Sequence, residues 1–502
     1  MYNTMDDFRR VDILDRKNVV LARNMIMSNV YLNANNTFDT ANDLVKLSHI
    51  FPNITERLNK IESNILSKKQ TGKTNLVLIE KNILPSQKDL IMKYGISGVE
   101  FENSKKRIYP CKVASHILGF TSDNHGISGV EMYFDDYLTD PVNAKKPLHL
   151  SIDIDIQYIV REAIAKLIKK HDAKGGFGLI LNIKTGEVIS AVSLPDFNPN
   201  TRKGYSKDDM MNKFSVGVYE LGSVFKVFLG GIVIKKNLSL HKKYSIKNSL
   251  DVDGFVIKNF RFSLNRSDLT IPEMIKYSSN IGCAMIAVDI DSESYRDFFV
   301  KLGFDDKINI QLPERSKPIF PHNWSKATMA TISYGHGIAI TPLHFVIGLA
   351  GMLNNGIVPD PTLLRVDNGS QIKTRGLIFT KQQSESLREM LRNIELGNRT
   401  TSSIKEYDVF SKSGTAILTS NDGSYDRDKM MLSFFIAGPL FDPQYVFYFG
   451  INEPNLDKTG GSRFATGGHV IGHVAANVVK VVGPMLGMGV CNKQKTTNTY
   501  AQ

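Results

Sequence analysis

Lys226 is followed without interruption by eight apolar or glycine residues, VFLGGIVI (Val227–Ile234). The run is far short of the ~18 residues that a membrane-spanning helix needs. Read as a helix over Val227–Lys236, it is apolar all the way round, and such a helix must be wrapped on every side by other elements. A basic residue in its first turn is then drawn out of water with it. The chain can supply the wrapping. It has 502 residues, of which 42% are hydrophobic, enough for two to four domains at roughly 150 residues each.

Residues 1–147 read as a mixed N-terminal module, 148–487 as a larger domain and 488–502 as a polar tail. In the first module Arg9–Ala22 alternates like a strand. Phe51–Ser67 and Pro85–Lys93 are spaced as helices, while Asn75–Ile79 and Val99–Phe101 read as short strands. Gly126–Leu138 runs through a glycine-bearing turn into GVEMYFDDYL. From Pro147 the pattern sharpens. LHLSIDIDIQYIVREAIAKLIKKH predicts a strand, an Asp-x-Asp turn and a helix ending at His171, and two strands joined at Lys184–Glu187 follow. Helices are expected over Ile271–Val288, Pro342–Leu353 and His473–Leu486, and strands over Leu432–Ala437 and Tyr445–Ile451. Strands at both ends with helices between predict an α+β domain built in layers.

Charge and cysteines narrow the function classes. Lys and Arg number 62 against 50 Asp and Glu, a net charge of +12. That excess suits acidic partners: a nucleic acid, an anionic membrane face or a carboxylate-rich substrate. The basic residues are dispersed and no nucleic-acid motif occurs, which argues against nucleic acid. Cys111, Cys283 and Cys491 are too few and too scattered for a disulfide framework or a zinc site. The opening MYNTMDDFRR is polar and has no signal-peptide core, so the chain as written reads as soluble.

Ser-x-x-Lys can carry chemistry because residues three apart share one helix face. A desolvated, neutral lysine there can take the serine proton. Four such pairs occur: Ser223–Lys226, Ser239–Lys242, Ser370–Lys373 and Ser402–Lys405. The last three lie among polar residues and read as solvated surface. Ser223 follows Gly222 at a turn and opens the buried helix, where a backbone N–H can face an oxyanion. A nucleophile of this type works with Ser-x-Asn and Lys-Thr-Gly elements. Ser-x-Asn occurs at Ser122, Ser263 and Ser278, and Lys-Thr/Ser-Gly at Lys184, Lys412 and Lys458. Lys184 and Lys458 read as plain turns. Lys412-Ser413-Gly414-Thr415 continues the alternating VFSKSGTAIL, whose glycine admits a ligand backbone. Ser278-Ser279-Asn280 interrupts an apolar helical run; a structural kink is the competing reading there.

In this order and setting the motifs resemble those of class B penicillin-binding proteins, the peptidoglycan D,D-transpeptidases, and most of all the cell-division (septal) branch. RRVDILDRKNVVLA is similar to that family's segment just outside its membrane anchor, and RIYPCKVASHILGF and GISGVEMYFDDYL to its pedestal signatures. LSIDIDIQ, GEVISAVSLPDFNPN, VYELGSVFKVF, YSSNIG, SYGHGIAITPLH and SKSGTAIL follow in family order. The pattern departs at Leu221, where the family usually has proline, and at Ser413, where it usually has threonine. VIGHVAANVV replaces an Ala-Ala-Pro stretch, and the family's membrane helix is not present in this chain.

The resemblance implies a pedestal, or dimerisation-type, module followed by a serine β-lactamase-like domain of helices packed on an antiparallel sheet. It implies that Ser223 attacks the D-Ala-D-Ala end of a stem peptide, with Lys226 as base and Ser278 as proton relay. Asn280 would bond the peptide amide. Lys412, Ser413, Gly414 and Thr415 would hold the terminal carboxylate, and the backbone N–H groups of Ser223 and Thr415 would form the oxyanion hole. No metal or cofactor is called for. The implied partners are stem peptides, β-lactams, a membrane glycosyltransferase and other division proteins, on the periplasmic face of the inner membrane. An elongation-type enzyme, a serine β-lactamase and a non-catalytic divisome scaffold are the rival readings.

Overall fold

A computed structural model describes residues 10–71, 75–201, 204–259, 268–367, 369–395, 400–419, 425–455, 457–459 and 466–490. Ser263 and residues 491–502 of the C-terminal tail lie outside the described residues. Two compact units are present. One comprises Met1–Ile13, Val20–Pro110 and Asp136–Pro147; the other comprises Leu14–Val19, Cys111–Asp135 and Leu148–Gln502.

In the smaller unit the long strand Val20–Asn33 pairs antiparallel with Leu76–Ile83 on one side and Val99–Ile108 on the other. The helices Thr40–Ile50, Leu58–Thr71 and Pro85–Lys93 supply apolar partners. Val30, Leu32, Leu44, Leu47, Ile61, Ile65, Ile79 and Ile91 form one buried cluster between them. Two sequence expectations for the first 147 residues change, one of them in the segment Leu14–Val19 of the larger unit. The segment Arg9–Ala22 is not one strand: the Asp15 carboxylate accepts the backbone N–H groups of Lys17 (2.7 Å) and Val19 (2.8 Å) and folds the chain into a turn. A short polar side chain outcompetes the ladder in this way wherever it can reach its own following backbone. The helix expected from Phe51 begins at Leu58, because Pro52–Arg57 takes a tighter 3-10 turn.

The larger unit is built on a five-stranded antiparallel sheet. Its order is Phe410–Thr419, Tyr425–Gly438, Tyr445–Asn452, Gly175–Asn182 and Val188–Leu194. The last three strands are buried almost throughout. Strand periodicity sends alternate side chains to opposite faces. Leu432, Phe434, Ile436, Phe447 and Phe449 meet the helices Ile154–His171 and Gly472–Met485. Phe435 and Tyr448 turn the other way onto Phe345 of the helix Pro342–Leu353. The result is helices, sheet, helices. The helix Lys226–Lys235 lies inside the second helical layer, with every residue from Lys226 to Ile234 buried. Phe228 alone packs against the rings of Phe225, Phe299, Phe304 and Phe345.

Candidate active site

Gly222–Phe225 forms a single 3-10 turn that delivers Ser223 to the start of the buried helix. Gly222 has φ +61°, and its N–H donates to the Gly335 carbonyl (3.1 Å). A methyl group in its place would stand 2.3 Å from the Thr415 carbonyl oxygen and 3.2 Å from the Thr415 nitrogen. Glycine is required here for conformation and for space. This close approach sets the backbones of Ser223 and Thr415 side by side. The three other Ser-x-x-Lys pairs have both members exposed, whereas Ser223 is half-buried and Lys226 fully buried.

The helix expected over Ile271–Val288 is two helices, Ile271–Lys276 and Asn280–Val288. Ser279 caps the second by accepting the Gly282 N–H (3.0 Å), and Ser278 is left between them at φ +60°. A non-glycine residue in that region is costly and persists only where its surroundings over-determine it. Here the break aims both the carbonyl and the hydroxyl of Ser278 at Lys226. Lys226 Nζ lies 2.8 Å from Ser278 O, 3.0 Å from Ser278 Oγ, 2.8 Å from Asn280 Oδ1 and 2.9 Å from Ser223 Oγ.

Counting hydrogens shows what this lysine can do. Ser278 O and Asn280 Oδ1 can only accept, and Asn280 is oriented by donating Nδ2 to Lys258 O (3.3 Å). They take both N–H bonds of a neutral amine, which leaves its lone pair for a serine hydroxyl. Burial pushes the Lys226 pKa down to about 7, with the charge of Lys412 acting in the same direction. Desolvation disfavours an ammonium ion, so the neutral base is populated at neutral pH.

Phe410–Thr419 is the edge strand, and its two faces have separate uses. Ser413, Thr415 and Ile417 line a cleft of about 550 Å³ together with Ser223, Ser278 and Asn280. Lys412 alternates with them, is buried, and its amine reaches the cleft residue Ser278, donating to Ser278 Oγ and to Ser413 O, both at 3.2 Å. Burial pushes its pKa down to about 8. Ser278 Oγ is thus held between two lysine amines. Gly414 lets the strand pass close to the Ser223 turn, since a methyl there would stand 2.4 Å from Leu221 O. Ser223, Lys226, Ser278, Asn280 and the Lys412–Thr415 strand therefore converge in one place, although nearly two hundred positions separate the first from the last in sequence.

Some of the cleft was not pointed to by the motifs. Phe255 and Val256 form an exposed apolar lip on a short hairpin, Leu250–Val252 with Phe255–Ile257. Tyr334 and His336, inside the SYGHG segment, form another wall. Glycines on both sides of His336 in an otherwise apolar stretch were the available sequence clue. Cys283 is a buried thiol whose pKa burial pushes up to about 11, so it is neutral. Lys184 occupies the expected hairpin turn. Lys458 sits in a 3-10 turn and pairs with Asp172 (2.9 Å). Among the described residues no three His, Cys, Asp or Glu side chains converge as a metal site, and no helix is long and apolar enough to cross a membrane.

A family model described as the penicillin binding protein transpeptidase domain matches residues 176–478, and one described as the penicillin-binding protein dimerisation domain matches residues 7–141. The probable peptidoglycan D,D-transpeptidase FtsI of Caulobacter vibrioides (strain NA1000 / CB15N) is 27% identical over 503 residues, covering 97% of this chain and 82% of that protein. The peptidoglycan D,D-transpeptidase FtsI of Escherichia coli (strain K12) is 25% identical over 82% of this chain and 73% of its own length. For the fold, the crystal structure of penicillin binding protein 2X from Streptococcus thermophilus superposes with a TM-score of 0.74 at 20% identity, covering 96% of this chain and 80% of that one. With the transpeptidase model matched over more than half its length and the dimerisation model ahead of it, this chain belongs to the class B penicillin-binding proteins.

Proposed function

We propose that the protein is a peptidoglycan D,D-transpeptidase that works through a seryl acyl-enzyme in septal cell-wall synthesis. The observation that carries the mechanism is the hydrogen-bond inventory of Lys226, which fits a neutral base facing Ser223 Oγ at 2.9 Å. Ser223 attacks the penultimate carbonyl of a stem peptide ending in D-Ala-D-Ala as Lys226 takes its proton. The proton passes through Ser278 to the departing D-Ala amine; Ser278 is suited to this because its hydroxyl touches both lysines. An amine from a second stem peptide then displaces Ser223 and forms the cross-link. Splitting one hard step into two easier ones is the general advantage of covalent catalysis.

Lys412, with the hydroxyls of Ser413 and Thr415, holds the terminal carboxylate by charge-assisted hydrogen bonds. Gly414 keeps the strand close enough for this. The edge position of Phe410–Thr419 leaves one side of its backbone for an extended peptide to pair with, and Asn280 bonds the peptide amide. The oxyanion hole is formed by the backbone N–H groups of Ser223 and Thr415, and one such donor is typically worth about 3 kcal/mol. β-Lactams acylate the same serine. We place residues 148–487, with the short segments that pack on them, as the catalytic part and the remainder of 1–147 as its pedestal. The enzyme works on the periplasmic face of the inner membrane, beside a membrane glycosyltransferase and other division proteins.

The test is covalent labelling by a fluorescent penicillin. Wild type is expected to take up one equivalent and hold it, and Ser223→Ala to take up none. Labelling of the mutant would remove Ser223 as nucleophile, and fast multiple turnover of nitrocefin would point to a β-lactamase instead. Side-wall in place of mid-cell localisation would move the enzyme to the elongation branch.

A further inference from the structure

One wall of the cleft is not used by this mechanism. His336 lines it, packed between the rings of Tyr334 (5.4 Å between centroids) and Tyr425 (6.1 Å). Its Nδ1 is buried and meets no hydrogen-bond partner. Buried polar atoms are almost always paired, so an unpaired nitrogen on a ring that lines a cleft is a place to look for a ligand. Burial, with the charge of Lys226, holds the imidazole pKa down to about 4. The ring is therefore neutral at physiological pH and offers an acceptor nitrogen. Glu220, three residues before Ser223, sits against the same wall. It accepts the N–H of Gly337 (2.7 Å), the neighbour of His336, and the Tyr425 hydroxyl (3.1 Å).

The cleft is divided by chemistry. Behind Ser278, which lines the cleft, stand the amines of Lys226 and Lys412, and Lys258 is among the lining residues; these suit a carboxylate and an acyl oxygen. At the His336 wall stand a neutral imidazole and, next to it, the Glu220 carboxyl, whose pKa burial raises; both offer acceptors. A cationic amine is repelled by the lysines and attracted by the carboxylate.

We propose that Glu220, His336 and Tyr425 form the acyl-acceptor subsite, which receives the primary amine of the second stem peptide once Ser223 is acylated; this rests on the transpeptidase reading above. In that step the amine nitrogen bonds the acyl carbon as the ester bond to Ser223 Oγ breaks. The entering ammonium sheds two protons: one returns to Ser223 Oγ through Lys226, and the other leaves through Glu220 to solvent. His336 accepts an N–H of the amine and so turns its lone pair toward the ester. Tyr425 holds the Glu220 carboxylate in place.

The test uses the full chain acylated by a thioester donor, whose acyl-enzyme divides between water and an added amine. The ratio of amide to acid product does not depend on how fast the acyl-enzyme formed. With glycinamide as acceptor, His336→Phe and Glu220→Gln are each expected to lower this ratio about tenfold or more. His336→Gln, which keeps an acceptor and a similar volume, is expected to recover much of the loss. Hydroxylamine is mostly uncharged at neutral pH, and with it Glu220→Gln should lose far less. Ratios within about twofold of wild type in both variants, or equal losses for the two acceptors in Glu220→Gln, overturn the subsite. A wild-type protein that forms no acyl-enzyme with thioester or penicillin overturns the transpeptidase reading and the subsite with it. An acyl-enzyme that forms but partitions normally in the variants overturns the subsite alone.

Discussion

Acylation by a carboxylate-bearing donor should follow a narrow bell in pH. Lys226 has to be neutral to take the Ser223 proton, and its pKa is near 7. Lys412 has to be charged to hold the carboxylate, and its pKa is near 8. The productive combination therefore peaks at about pH 7.5, and the second-order acylation rate should fall about twentyfold by about pH 5.5 and again by about pH 9.5. Stopped-flow labelling with a fluorescent penicillin measures this directly. Two controls bear on the assignment of the limbs. A donor without a carboxylate should lose the alkaline fall. Lys412→Ala should move the acid limb to higher pH, because the Lys412 charge helps to depress Lys226. A flat profile between about pH 6 and 9, or an acid limb near the ordinary lysine value of about 10.4, would refute the reasoning. Stability carries the same signature. The unfolded chain keeps the Lys226 proton to higher pH than the folded one, so stability rises with pH through the window from about 7 to about 10.5. The full shift ties up on the order of 5 kcal/mol of folding free energy at lower pH.

Three further outcomes are expected. Ser278→Gly, which relieves the left-handed backbone at φ +60°, should fold at least as stably as wild type yet acylate roughly a hundredfold more slowly, as read by chemical denaturation beside penicillin labelling. Equal losses in both would mean that the hydroxyl is structural. Gln157 is fully buried, with Nε2 donating to Val113 O and Ala191 O and Oε1 accepting from Ser190 Oγ and the Ala191 N–H. Gln157→Leu leaves all four unpaired and should cost about 3 kcal/mol or more, seen as a lower denaturation midpoint; an unchanged midpoint would contradict this. Gly222→Ala should abolish penicillin labelling, since its methyl would meet the Thr415 carbonyl at 2.3 Å in a backbone region hostile to L side chains. Normal labelling would show that the turn can move aside.

Much of this protein was legible in one dimension. The helix Pro342–Leu353 and the strand Tyr445–Asn452 were visible because their burial is uniform and their periodicity is not diluted. One of four Ser-x-x-Lys pairs could be singled out because only Lys226 leads into a run with no solvated face. Other features were hidden because they depend on a competitor that the pattern does not contain. Asp15 breaks a strand by capturing local backbone, and Ser278 breaks a helix that its apolar neighbours would have continued. The helix Lys381–Glu395 is not such a case, since Leu387, Met390, Leu391 and Ile394 recur at helical spacing and the pattern alone predicts it.

Local patterning settled which residues are buried, which serine starts a buried helix and how the strands and helices alternate, because burial and periodicity are properties of neighbours in sequence. It could not settle the company that Lys226 keeps. Ser278, Asn280 and Lys412 reach it from distant segments only after the sheet and helices have packed, and the Lys226 pKa near 7 arises from that packing. The unpaired nitrogen of His336 is of the same kind. Whether a polar atom has a partner is a fact about three dimensions.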